Sequence, residues 1–126
     1  MPGSLLIVDD SATMRKIIMR TIRMSGINFD RTDEAGNGKE ALDKLAGGPV
    51  DVILCDVNMP EVNGLEIYRH VTSVRPFLAE RFVFLTGSDC AELTALRREV
   101  PTRILVKPVR RKDLMAVIDA ISARLR

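Results

Sequence analysis

The chain has 126 residues, of which 46% are hydrophobic and 29% charged, with a formal net charge of +2. That length suits one domain with a real hydrophobic core, and the composition excludes a disordered chain. No stretch is apolar for long enough to span a bilayer, and the N-terminus lacks the basic-then-apolar pattern of a secretory signal, so a cytoplasmic protein is expected. Residues 1–126 are expected to form a single domain, with residues 1–4 a disordered leader.

In chain order, the apolar run at residues 5–8 predicts a first buried strand. Met14, Ile17, Ile18, Thr21 and Ile22 then share one face of a helix that Ser11 can cap and Gly26 ends. Residues 31–35 predict a more exposed second strand, and Ala41, Leu42 and Leu45 mark a second helix. Gly47-Gly48-Pro49 forces a turn before a third strand at residues 50–55. Leu65, Ile67, Tyr68 and Val71 give a third helix, closed by Arg75-Pro76. A fourth strand follows at residues 82–85, then a weaker fourth helix on Leu93, Ala95 and Leu96, and a fifth strand at residues 104–106. Leu114, Val117, Ile118, Ile121 and Leu125 form the clearest stripe, a fifth helix. Strict alternation of helix with strands apolar on both faces implies an α/β fold, a parallel sheet between helix layers.

In such folds ligands gather beyond the carboxyl ends of the strands. There the sequence places Asp9 and Asp10 after the first strand, Asp56 after the third, Thr86 after the fourth and Lys107 after the fifth. Each alone reads as an ordinary cap or turn residue. Together they put three carboxylates, a hydroxyl and an amine at one edge. Two carboxylates about 4 Å apart repel by roughly 4 kcal/mol at an effective dielectric near 20. Lys107 supplies one compensating charge, and a hard divalent cation such as Mg²⁺ would supply two. An ionised carboxylate in that setting can attack phosphorus to give an acyl phosphate, with Thr86 and Lys107 holding the phosphoryl oxygens. The set reads as a phosphoryl acceptor.

The rest of the chain narrows the alternatives. Cys55 and Cys90 are far apart, with no CxxC pair and His70 as the only histidine, which argues against a zinc site. Residues 1–90 carry 10 Lys/Arg against 13 Asp/Glu, whereas residues 91–126 carry 9 against 4. That basic C-terminal quarter has no nucleic-acid recognition motif and no aromatic platform, so it reads as a solvated helix face and no nucleic-acid partner is expected.

The segments LLIVDDS, ILCDVNMPEVNG, FVFLTGS and LVKP together resemble the response regulator receiver family of two-component signalling, over nearly the whole chain. DDSATMRKI and DVNMP are most similar to its single-domain, CheY-like chemotaxis branch. The resemblance implies a flavodoxin-like (βα)5 doubly wound sheet with strand order 2-1-3-4-5. It implies that Asp56 takes a phosphoryl group from the phosphohistidine of a sensor histidine kinase or a phosphotransfer domain. Asp10, Asp56 and the backbone carbonyl of Asn58 would bind Mg²⁺ directly, Asp9 through a metal-bound water. Thr86 and Lys107 would grip the phosphoryl oxygens, with Lys107-Pro108 a cis peptide.

Asn58 and Ser88 resemble positions that tune the lifetime of the acyl phosphate. The family commonly has an aromatic residue three positions before the lysine, and here that position is Ile104, which leaves Thr86 and Ile104 as switch positions without an aromatic. Residues 98–103 (REVPTR) and Val109 look more like receivers attached to hybrid kinases. An unidentified downstream protein is expected at the face of the fourth helix, fifth strand and fifth helix. The alternatives are a Mg²⁺-dependent phosphatase with an aspartyl nucleophile, or a receiver-shaped binding module that is never phosphorylated. Such phosphatases commonly carry a second acid two residues after the nucleophile, where this chain has Asn58. The intact acidic set speaks against the binding module, and no multiple-turnover enzyme is expected.

Overall fold

The structure, a computed structural model, describes residues 3–87, 94, 97, 98 and 103–124. Its elements are β1 (Ser4–Val8), α1 (Ala12–Met24), β2 (Arg31–Ala35), α2 (Gly38–Ala46), β3 (Val52–Asp56), α3 (Gly64–Val74), a 3₁₀ helix (Pro76–Arg81), β4 (Phe82–Thr86), β5 (Arg103–Val106) and α4 (Arg111–Arg124). The fifth helical pattern of the sequence is thus α4. The fourth, on Leu93, Ala95 and Leu96, lies outside the described residues, as do Cys90 and Leu125. The five strands are parallel and ordered β2-β1-β3-β4-β5, the doubly wound arrangement expected. No described helix is long and apolar enough to cross a membrane.

Strand alternation sorts the core into two layers. Leu6 and Val8 of β1, Ile53 and Cys55 of β3, and Phe82 and Phe84 of β4 face the layer containing Ala41, Leu45, Ile67 and Val71 of α2 and α3. Leu5, Ile7, Val52, Leu54, Val83 and Leu85 face the layer containing Ile18 and Ile22 of α1 and Leu114, Ile118 and Ile121 of α4. Tyr68 packs edge-on against Phe82 and Phe84 at 5.2 and 5.6 Å, so three of the five aromatics gather in one place. Because β1, β3 and β4 are buried on both faces, they read as continuous apolar runs.

Capping sets where the helices begin. Ser11 Oγ accepts the Met14 N–H at 3.1 Å, as the sequence suggests. Asn37 and Asn63 do the same for Glu40 and Glu66 at 2.9 and 3.0 Å, and Glu66 completes a capping box on α3.

Several boundaries differ from the sequence reading. Gly3 and Ser4 belong to the fold rather than to a leader: Asp51 accepts their N–H groups at 2.8 and 2.9 Å, and Ser4 opens β1. Asp51, which also meets Arg81 at 3.3 Å, lies just before the strand, and β3 starts at Val52 rather than at residue 50. Ile17 is 52% exposed, at the margin of the α1 stripe. As the far edge strand, β5 is only half-buried, with Val106 46% exposed, so it is not the buried strand its apolar run suggested. The 3₁₀ helix went unread because Pro76 signals only a break in the preceding helix.

One close approach positions the chain beyond β3. A Cβ placed on Gly64 would lie 2.3 Å from the Asp56 carbonyl oxygen and 3.1 Å from Cys55 Sγ. The first turn of α3 therefore packs directly on the Asp56 main chain, and only glycine fits. Gly64→Ala should destabilise by about 1–3 kcal/mol, the usual scale of overpacking, measured by urea denaturation. Gly47→Ala, where a Cβ would meet ordinary contacts at 3.6 Å, is the matched control and should change little.

Candidate functional site

Four strand ends deliver polar side chains to one edge of the sheet. Asp9 follows β1 and is almost fully buried; its N–H donates to the Ala35 carbonyl at 3.1 Å. Its Oδ1 accepts the Ser11 N–H at 2.9 Å, and its Oδ2 lies 3.1 Å from Lys107 Nζ. Asp10, the next residue, is exposed. Asp56, the last residue of β3 and also buried, places Oδ1 3.4 Å from Lys107 Nζ and accepts the Asn58 N–H at 3.4 Å. Thr86 ends β4, buried, and its carbonyl accepts the Lys107 N–H at 2.7 Å. Lys107 follows β5 and precedes a cis peptide to Pro108.

One carboxylate oxygen from each of Asp9, Asp10 and Asp56 lies within 4.8 Å of the others. Burial pushes the Asp56 carboxyl above its ordinary value; attraction to Lys107 opposes this, and repulsion from Asp9 adds to it. For Lys107, burial pulls the ammonium down, but attraction to Asp56 and the hydrogen bond to Asp9 outweigh it, leaving the net shift upward. Both partners of the pair thus feel burial first, and Lys107 stays charged. Cys55, fully buried beside Asp56, has its thiol pushed far up by burial and then by the two carboxylates, which makes it an inert core residue.

The donor set fits a hard divalent cation: the three side-chain ligand atoms brought together are all carboxylate oxygens, two acids are buried, and the third is open to solvent. Asp9, Asp10, Asp56, Thr86 and Lys107 are brought to the same edge, as the sequence order of strand ends suggests. Asn58 sits two residues after Asp56, in a loop that continues through Glu61 with φ +67°. Ile104 is half-buried and packs against the layer containing Phe82 and Phe84. Ser88 lies outside the described residues.

Sequence reasoning passed over Arg15 and Glu34. Arg15 Nη1 donates to the Asp9 carbonyl, and its Nε pairs with Glu34 at 2.9 Å. The available signal was a lone arginine between Met14 and Ile18 on the inward side of α1, one turn after the Ser11 cap.

Known proteins provide the context for this geometry. The family model of the response regulator receiver domain matches residues 5–119. A chemotaxis protein CheY1 of Helicobacter pylori is 36% identical over 120 residues, covering 93% of this chain and 94% of that protein. A chemotaxis protein CheY homolog of Campylobacter jejuni is 39% identical over 107 residues, covering 82% and 80%. The solved structure of Vibrio cholerae chemotaxis protein CheY4 superposes with a TM-score of 0.79 at 28% identity, covering 96% of this chain and 99% of that one. With the fold, the strand order and the match over residues 5–119 in agreement, the chain belongs to the CheY-like response regulator receiver domain family.

Proposed function

We propose that this receiver domain is a phosphoacceptor of a two-component relay, with Asp56 as the residue modified. The observation that carries the reading is the buried Asp56 carboxylate held 3.4 Å from the Lys107 ammonium, with two further carboxylates within reach of the same point. In the transfer, an Asp56 oxygen attacks phosphorus, forming an acyl phosphate bond as the phosphorus–nitrogen bond of a donor phosphohistidine breaks. The electron pair leaves on the imidazole nitrogen, which takes a proton from solvent. Lys107, held between Asp9 and Asp56, neutralises charge on the transferred oxygens, and the Thr86 hydroxyl donates to one of them.

Asp9, Asp10, Asp56 and the Asn58 carbonyl would hold Mg²⁺, which when bound supplies two positive charges against the carboxylates and phosphoryl oxygens. Asn58 and Ser88 are assigned to tuning the lifetime of the product. Thr86 and Ile104 are assigned to the switch, and the face of β5 and α4 to a downstream protein partner. The exposed Val106 and the half-buried β5 support that last assignment. The donor is a histidine kinase or a phosphotransfer domain, and the reaction ends at one phosphoryl per domain rather than turning over.

Incubation with Mg²⁺ and acetyl phosphate should add one phosphoryl group by intact mass, and chelation with EDTA or Asp56→Asn should abolish it. Labelling of the Asp56→Asn protein would refute the assignment, and sustained phosphate release from a generic ester would favour the phosphatase reading instead. Crowding of three carboxylates against one ammonium also makes a stability prediction. In EDTA, Asp56→Asn should stabilise the fold by about 1–3 kcal/mol, the scale of relieving buried like charge. The gap should close as Mg²⁺ is added, read as the difference in melting temperature across a Mg²⁺ titration. If the switch runs through Thr86 and Lys107, a phosphoryl mimic should alter amide exchange in residues 103–112 while leaving β1 and β3 unchanged.

A further inference from the structure

Arg15 occupies a position that no part of the proposed phosphotransfer uses, yet it reaches the same acidic pair from behind. Its side chain is only 17% exposed, its Nη1 donates to the Asp9 carbonyl oxygen, and its Nε pairs with Glu34 at 2.9 Å. The guanidinium lies close beside Gly36: a Cβ there would sit 3.3 Å from Arg15 Nη1 and 3.5 Å from Glu40 Oε1. Glu40 in turn accepts the Gly36 N–H at 2.7 Å, which fixes the turn against which the guanidinium lies. Glu34 belongs to β2, so one arginine ties α1 and β2 to the main chain after β1.

The carbonyl that Arg15 holds is the acceptor of the Asp9–Asp10 peptide group. The N–H of Asp9 is already fixed by Ala35 at 3.1 Å, and its carboxylate by Ser11 and Lys107. The Arg15 contact completes the set by fixing the plane of the peptide that leads into Asp10. Asp10 is the exposed member of the acidic cluster, and among the described residues its carboxylate has no hydrogen-bond or ion-pair partner. The direction in which it leaves the main chain therefore depends on that peptide plane. A charged, forked donor suits the task, because guanidinium can meet a carbonyl and a carboxylate at once.

We infer that Arg15, clamped by Glu34, is a positioning residue that orients the Asp9–Asp10 peptide so that Asp10 meets the divalent cation. This rests on the reading of the acidic cluster as a Mg²⁺ site given above. It predicts a loss of cation affinity without loss of the fold, as is typical when an outer hydrogen bond to a ligand is removed.

Mg²⁺ titrations by isothermal calorimetry on wild type, Arg15→Ala, Arg15→Lys and Glu34→Gln test it, alongside thermal melts in EDTA and the amide nitrogen resonance of Asp10. Arg15→Ala should weaken Mg²⁺ binding about tenfold or more. Arg15→Lys, which makes only one of the two contacts, and Glu34→Gln should give smaller losses of about two- to fivefold, in keeping with a clamp that is loosened rather than removed. The Asp10 amide resonance should move in Arg15→Ala, because its peptide carbonyl loses a charged donor. A folded Arg15→Ala protein with wild-type affinity and an unmoved Asp10 resonance overturns the inference. So does a melt lowered in EDTA with affinity unchanged, which marks Arg15 as purely structural. Should Arg15→Ala fail to fold, Arg15→Lys and Glu34→Gln decide: wild-type affinity in both overturns the inference. Wild-type protein that binds no Mg²⁺ overturns the metal reading and this inference with it, a pattern distinct from a defect confined to the variants.

Discussion

The Lys107 ammonium, 3.1 Å from Asp9 and 3.4 Å from Asp56, is the contact on which the rest of the site depends. Its difficulty is topological. Lys107 follows β5, whereas Asp9 follows β1, and two strands lie between them in the sheet. At ordinary strand spacing that is about 14 Å. The contact therefore spans the ends of β3 and β4, and the main chain after β5 is tied to β4 by the Lys107 N–H bond to the Thr86 carbonyl. The strand order thus decides which charges meet: β3, carrying Asp56, lies between the carboxylates of β1 and the amine of β5.

Such a pocket is tolerable only at the end of the sheet. Immediately below it, Val8, Cys55 and Leu85 are all fully buried, and any charge displaced downward would lose solvation without a partner. The apolar layers therefore act on the polar edge from beneath. They strengthen the attraction between Lys107 and the carboxylates, and they raise the cost of leaving three acids opposed by one ammonium. A fold that holds this arrangement without a cation stores repulsion, which a divalent ion relieves.

Most of this architecture was legible because the buried strands are short apolar runs whose last residues are polar: Val8 to Asp9, Cys55 to Asp56, Leu85 to Thr86. Period and punctuation alone locate those edges. What escaped has a different physical origin. Asp51 reads as a loop acid, but its bonds to Gly3 and Ser4 join segments 48 and 47 residues apart in the chain. Ile17 fits the helical stripe by spacing, yet how wide a face is covered depends on the neighbouring helix, so spacing alone overestimates burial. The same holds for Val106, whose apolar run says strand but cannot say edge. Arg15 is the instructive case: a cation in an amphipathic helix reads as solvent-facing, and only the return of β2 beside β1 turns it towards the Asp9 main chain.

The two sides of the pocket are held with unequal firmness, and this sets the direction in which the domain can respond. On the Asp56 side the main chain is locked: Val57 donates to Leu85 at 2.9 Å, Gly64 donates to Val57 at 3.0 Å, and α3 packs against the Asp56 carbonyl too closely for any Cβ. On the other side, Lys107 hangs from a half-buried edge strand. Added charge at Asp56, as proposed, cannot move Asp56 itself without displacing α3. It acts instead on the ammonium and, through the Lys107–Thr86 backbone bond, on the ends of β4 and β5. A half-buried edge strand of the sheet is thus coupled to a buried carboxylate, and a local electrostatic change is thereby directed towards a surface where another protein could read it.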